Sequence, residues 1–263
     1  ALGAVAGGGW RMPLARGEVP APEPGGGDVA TDVVIVGGGF AGVAAARWVL
    51  AAGKRVVLVE ARDRLGGRTH SEDIGGRLTV DVGGQWIEPQ QKRMNALVHE
   101  FGIETFATWN SGKNLLLDQG ALQPYEGTIP TLSAVALLEL GVVQARLDRL
   151  ASTVNLEAPW DTPGAATLDA RTLAGWLEAN LWTGAARRVL WVGLEMVMAC
   201  DLRRISLLHA LFIIKNGVNL DVLFGVENGA QQDRFRHGTA ALMQAMTAPW
   251  RNAIRLATPV DAI

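Results

Sequence analysis

The sequence predicts an α/β fold in which a doubly wound parallel sheet is interrupted by a mainly helical insertion. Three observations carry that expectation. The β-branched run Val33–Val36 enters a glycine cluster and emerges as the small-residue helix Phe40–Ala51. A second apolar run at 55–60 follows at once and closes on an acid, which completes strand, tight turn, helix, strand. From about residue 109 the spacing of apolar residues becomes helical, and the α/β texture returns only at a helix over 239–248 and a strand over 254–263, broken by Pro259.

Between these landmarks each element has its own signal. Residues 77–82 alternate like a strand, and 92–100 place Met94, Leu97 and Val98 on one helical face that Gly102 closes. Helices are expected over 132–150, 170–181, 185–199 and 205–214, with Trp176, Trp182 and Trp191 packed into their core. A doubly wound half-sheet needs at least three parallel strands, yet 33–60 provides two and the next comes at 254–263. The sheet therefore reads as incomplete at the C-terminus, to be finished by further sequence or a second chain.

The bulk numbers bound the function. At 263 residues, 49% apolar and 19% charged, the chain can form one large or two ordinary domains. Its 24 basic and 26 acidic residues leave a net charge of -2, so neither nucleic acid nor an anionic membrane is implied as a partner. The lone Cys200 excludes an internal disulfide, and His70, His99, His209 and His237 are too scattered to suggest a metal site. Residues 1–29, rich in Gly, Pro and Ala, read as a flexible leader or the remnant of an export signal, which leaves cytoplasmic and exported locations both open. No membrane span is expected.

Gly37, Gly39 and Gly42 form G-x-G-x-x-G between the first strand and the helix, and Glu60 stands 18 residues beyond Gly42. Gly37 permits the tight turn, Gly39 lets backbone approach a pyrophosphate, and Gly42 lets the helix lie close to the strand. The first helical turn, with Phe40 and Ala41, presents unpaired N–H groups and about half a positive charge to phosphate. Glu60 is placed to accept from ribose hydroxyls. Its acidity argues against a 2′-phosphate but leaves a flavin and a nicotinamide dinucleotide both open. The run Glu60-Ala61-Arg62-Asp63-Arg64-Leu65-Gly66-Gly67-Arg68 then sets flexible backbone and forked cations within reach of an extended dinucleotide.

The segment VVIVGGGFAGVAAARWVLAAGKRVVLVEARDRLGGRTHS, followed by DVGGQWIEPQQKRM, resembles the opening of the flavin monoamine oxidase family, and ENGAQQDRF with LATPVDAI resembles its return into the FAD domain. The likeness covers residues 32–263 and is thin between 112 and 167. It implies a Rossmann-like FAD-binding domain of 30–108 and 236–263, and a substrate domain whose first part is 109–235. Gly37, Gly39, Phe40, Ala41, Gly42, Glu60, Ala61, Arg62, Gly66, Gly67 and Arg68 would then hold the adenosine and pyrophosphate of FAD. Gly84, Gln85 and Trp86 would lie along the isoalloxazine, Val260 would meet the adenine, and Gln231 would face the substrate. His237 stands where the family commonly has a first glycine. The implied reaction is oxidation of an amine to an imine by hydride transfer to flavin N5, with O2 as acceptor and H2O2 as product. The family's flavin-facing lysine and aromatic pair would fall beyond Ile263, so no catalytic residue is assigned. A homodimer stays compatible with this reading. The alternatives are a carotenoid desaturase or protoporphyrinogen oxidase type of flavoprotein, or a non-catalytic FAD-binding fragment.

Overall fold

A computed structural model describes residues 30–75 and 78–262, so the leader at 1–29 and the start of the strand expected at 77 lie outside the described residues. The chain divides into two compact units. One holds the residues up to Gln85, Ala96–Thr105 and those from Phe235 onward; the other holds Trp86–Asn95 and Phe106–Arg234.

The first unit opens with strand β1 (Val33–Val36), helix α1 (Phe40–Ala51) and strand β2 (Val56–Val59). β1 and β2 pair in parallel, Val33 with Val56 through Val36 with Val59. All four residues of β2 are buried because it is the middle strand, covered on both edges. α1 buries Val43, Ala46, Arg47 and Leu50, one stripe at helical spacing. Two further strands, β3 (Ser71–Asp73) and β4 (Thr79–Asp81), pair antiparallel.

The chain continues through β5 (Trp86–Ile87), α2 (Lys92–Glu100) and β6 (Thr105–Ala107). α2 ends as expected at Gly102, whose φ of +61° suits the residue after a helix. The strands β7 (Asn114–Asp118) and β8 (Ala121–Tyr125) form a hairpin in a stretch for which no element was expected, within a part read as mainly helical. The helices α3 (Ala134–Ser152), α4 (Ala165–Asp169), α5 (Leu173–Asn180), α6 (Gly184–Met198), α7 (Leu207–Asn216) and α8 (Leu220–Phe224) follow. β9 (Asp233–Phe235) pairs antiparallel with β5 in a sheet of order β5-β9-β6.

The helices of the second unit enclose one core. Leu140, Val143 and Leu147 of α3, Leu173 and Leu177 of α5, Leu190 and Leu194 of α6, and Leu211 and Ile214 of α7 are all buried there. Burying each such side chain contributes about 1.5–3 kcal/mol before the entropy of ordering is counted. Ser133, Thr172, Thr183, Ser206 and Asn219 each accept an N–H of the first turn that follows, which fixes where five of the helices begin. Trp176 is buried and Trp191 packs against the core, but Trp182 is 69% exposed. Lying between the end of α5 and the start of α6, Trp182 gives its backbone, not its ring, to the interior: its N–H donates to buried Glu139.

The chain returns to the first unit with α9 (Thr239–Thr247) and β10 (Ile254–Arg255), which pairs in parallel with β2 to give the order β1-β2-β10. The strand expected over 254–263 is thus only two residues long. Beyond it Ala257 takes a left-handed φ of +49°, and the N–H groups of Ala257 and Thr258 donate to Arg62 O and Glu60 O, leaving the sheet ladder for the loop after β2.

Candidate dinucleotide site

The first glycine turn is built by contact. Gly37 N–H donates to Val59 O at 2.8 Å, which ties the turn to the end of β2. A Cβ on Gly42 would stand 2.0 Å from Gly37 O, so only glycine lets α1 start this close to β1. No side chain caps α1, and among the described residues the N–H groups of Gly39, Ala41 and Gly42 have no acceptor.

The second turn, Gly66-Gly67-Arg68, lies against the first. Gly66 N–H donates to Gly38 O at 2.9 Å, and a Cβ on Gly67 would come within 3.3 Å of Gly39 Cα. Among the described residues the N–H groups of Gly67 and Arg68 also have no acceptor. Unpaired donors on two neighbouring turns are suited to an anion. Arg62 and Arg68 are exposed beside them, and among the described residues neither forms an ion pair.

Glu60 sits at the junction. Its Oε2 accepts Gly38 N–H at 2.7 Å and its Oε1 accepts Arg62 N–H at 2.9 Å. Burial pushes this carboxyl up, but those two N–H donors and the charges of Arg62 and Arg64 outweigh it, so its pKa lies below the ordinary value. Each oxygen keeps a further lone pair for a hydroxyl.

The structure brings Gly37, Gly39, Gly42, Glu60, Arg62, Gly66, Gly67 and Arg68 together, with Phe40 and Ala41 in the first turn of α1 and Ala61 exposed next to Glu60. Gly84 joins them, since its N–H donates to Arg68 O at 3.1 Å, and Gln85 follows it. Val260 is exposed two residues beyond Thr258. A separate cavity of about 440 Å³, lined by Arg64, Leu65, Met243 and Gln244, shares only Gly66 with the predicted set.

Trp86 and Gln231 belong to the second unit. Trp86 opposes Arg234 across β5 and β9. Gln231 is half-buried; its Nε2 donates to Leu223 O at 3.1 Å, which leaves Oε1 as an uncommitted acceptor. The His237 departure does not remove the turn, because Gly238 at φ +71° makes it, and a Cβ there would meet Ser71 Oγ at 2.4 Å.

Sequence reasoning passed over Gly38, whose N–H engages Glu60, and the trio Ser71, Asp81 and Thr239. Asp81 Oδ1 accepts from Ser71 Oγ, Thr239 N–H and Thr239 Oγ1, which fixes the start of α9. The Gly-Gly pair was the available signal for Gly38. The trio joins residues 168 positions apart and had none.

Comparison with known proteins gives a consistent picture. A family model described as flavin containing amine oxidoreductase matches residues 40–263. AofH of Mycobacterium tuberculosis, which carries the name of a flavin-containing monoamine oxidase, is 39% identical over 217 residues, 82% of this chain and 48% of its own length. Among solved structures, cyclohexylamine oxidase from Brevibacterium oxydans IH-35A superposes with a TM-score of 0.81 at 29% identity, covering 88% of this chain and 52% of that one. Putrescine oxidase bound to putrescine gives 0.78 at 28%, covering 88% and 51%. The chain thus spans about half the length of the relatives it matches.

Proposed function

The chain belongs to the flavin containing amine oxidoreductase family, and on that premise we propose that it binds FAD and serves the oxidation of a primary or secondary amine, or an amino acid, to an imine. The observation that carries this is the pair of facing glycine turns with unpaired N–H groups, flanked by Glu60 and two exposed arginines.

In this reading the N–H groups of Gly39, Ala41, Gly42, Gly67 and Arg68 take the pyrophosphate, with Phe40 in the same helical turn. Arg62 and Arg68 balance its charge, and Glu60, with Ala61 beside it, accepts from the ribose. The backbone of Val260 meets the adenine. Gly84, Gln85 and Trp86 border the flavin ring, and Gln231 orients the amine through its neutral amide. Residues 30–108 and 236–263 would be the FAD-binding domain, and 109–235 the substrate domain. FAD, when bound, supplies the hydride acceptor; water then hydrolyses the imine, and oxygen reoxidises the flavin with formation of hydrogen peroxide. The protein's own part is placement and the exclusion of water.

The test uses the complete gene product. Denaturation should release FAD, and anaerobic addition of an amine, beginning with putrescine and cyclohexylamine, should bleach the flavin, with peroxide formed once air is admitted. A protein that neither holds nor takes up FAD sinks the reading. Bound FAD that no amine reduces would leave only a binding role.

A further inference from the structure

Arg64 lies four residues before Arg68; it is not exposed and, among the described residues, it forms no ion pair with a carboxylate. Its guanidinium spends its donors on backbone. Nη1 donates to Leu65 O at 3.3 Å and to Thr69 O at 3.1 Å, and Nη2 donates to Gly67 O at 3.4 Å.

Those contacts fix which way the neighbouring N–H groups point. In a planar trans peptide the C=O of one residue and the N–H of the next are antiparallel. Because Leu65 C=O faces Arg64, Gly66 N–H is turned away from it, and that N–H donates to Gly38 O at 2.9 Å. Because Gly67 C=O faces Arg64, Arg68 N–H is also turned away, and among the described residues it has no acceptor. Gly66 C=O in turn accepts from Thr69 N–H at 3.1 Å and Thr69 Oγ1 at 3.0 Å, which sets Gly67 N–H opposite. Arg64 thus holds the Leu65 and Gly67 carbonyls on its own side and turns the Gly66 and Arg68 N–H groups to the other, while Thr69 holds the carbonyl between them.

Resting on the proposed FAD site, we infer that Arg64 is a positioning residue: it sets the phosphate affinity of the cradle by orienting the second glycine turn, without touching the phosphates. Lysine retains the charge but not the fork that reaches three carbonyls. The role is therefore specific to arginine.

The experiment compares ADP with adenosine, titrated by calorimetry into the apo form of the full gene product. Arg64→Met should weaken ADP by about 10- to 100-fold, the usual effect of losing charge-assisted hydrogen bonds, with adenosine within about twofold of wild type. Arg64→Lys should fall between. Arg64 lines the 440 Å³ cavity, so millimolar guanidinium ion should restore part of the ADP affinity of Arg64→Ala. Wild-type ADP affinity in Arg64→Met overturns the inference, and so does an equal loss of ADP and adenosine, the mark of a general folding defect. Wild-type protein that binds neither FAD nor ADP would remove the FAD site itself, and the inference with it.

Discussion

At the scale of single residues, the two glycine turns separate steric from conformational necessity. Gly42→Ala places a methyl 2.0 Å from a backbone oxygen that cannot rotate away, so α1 must move off β1. The expected cost is about 1–3 kcal/mol in urea unfolding, together with loss of FAD uptake. Gly53→Ala is the control: at φ +71° with nothing within 4 Å of the added carbon, it costs about 1–2 kcal/mol of backbone strain but leaves FAD uptake intact. Gly42→Ala that holds FAD as wild type does would contradict the geometry. Glu60 makes a pH-dependent prediction. Its folded pKa lies below the ordinary 4.5, so its contribution is complete above that value and is lost as pH falls through the folded pKa. Glu60→Gln should cost about 1–2 kcal/mol at neutral pH, and the gap to wild type should close below about pH 4.5 in chemical denaturation run across pH. A gap that widens with acid would have the wrong sign.

At the scale of elements, Glu139 shows how a helix inside a core can govern the start of another. From α3 its carboxylate accepts the N–H groups of Trp182 and Thr183 and the Thr183 hydroxyl, at the N-terminus of α6. Removing it leaves part-buried donors unmatched, so Glu139→Ala should cost about 3 kcal/mol, comparable with the about 2–5 kcal/mol of Leu194→Ala in the same core. Arg188→Ala, which removes an exposed pair with Asp118, should leave the unfolding midpoint near wild type. Equal losses for Glu139 and Arg188 in thermal denaturation would refute that ranking. The same elements show what was legible. Ser133, Thr172, Thr183 and Ser206 announce their helices because an N-cap acts on the next turn of chain. The β7–β8 hairpin stayed hidden: its turn is Gln119-Gly120, both at positive φ, instead of the Asn-Gly that signals such a turn, and Pro124 and three consecutive leucines blur the strand pattern. The strand Ser71–Asp73 has no strand-like residues at all. It is held by pairing with β4 and by Asp81, which also caps α9, a contact that exists only after folding.

At the scale of the whole molecule, net charge and local field part company. A chain of charge -2 offers no overall attraction for an anion, yet Arg62, Arg64 and Arg68 lie within seven residues of one another, around backbone donors that point outward. That is why composition implied no nucleic acid while the glycine motifs still pointed to a phosphate site, and why the choice of flavin over nicotinamide rested on the family likeness. If the cradle binds FAD in the folded protein alone, FAD must stabilise the fold by linkage. At 100-fold excess over its dissociation constant the gain is about 2.7 kcal/mol, and each further tenfold adds about 1.4 kcal/mol. For a protein of this size that corresponds to a rise of about 5–10 °C in unfolding midpoint at the first concentration. The rise should shrink at high salt, because exposed arginines supply part of the attraction. In Arg62→Ala/Arg68→Ala it should be small even in dilute buffer. Differential scanning fluorimetry over a series of FAD and salt concentrations measures all three effects. A midpoint that does not move with FAD, or moves equally in the double variant, would mean that the paired glycine turns are not where the dinucleotide binds.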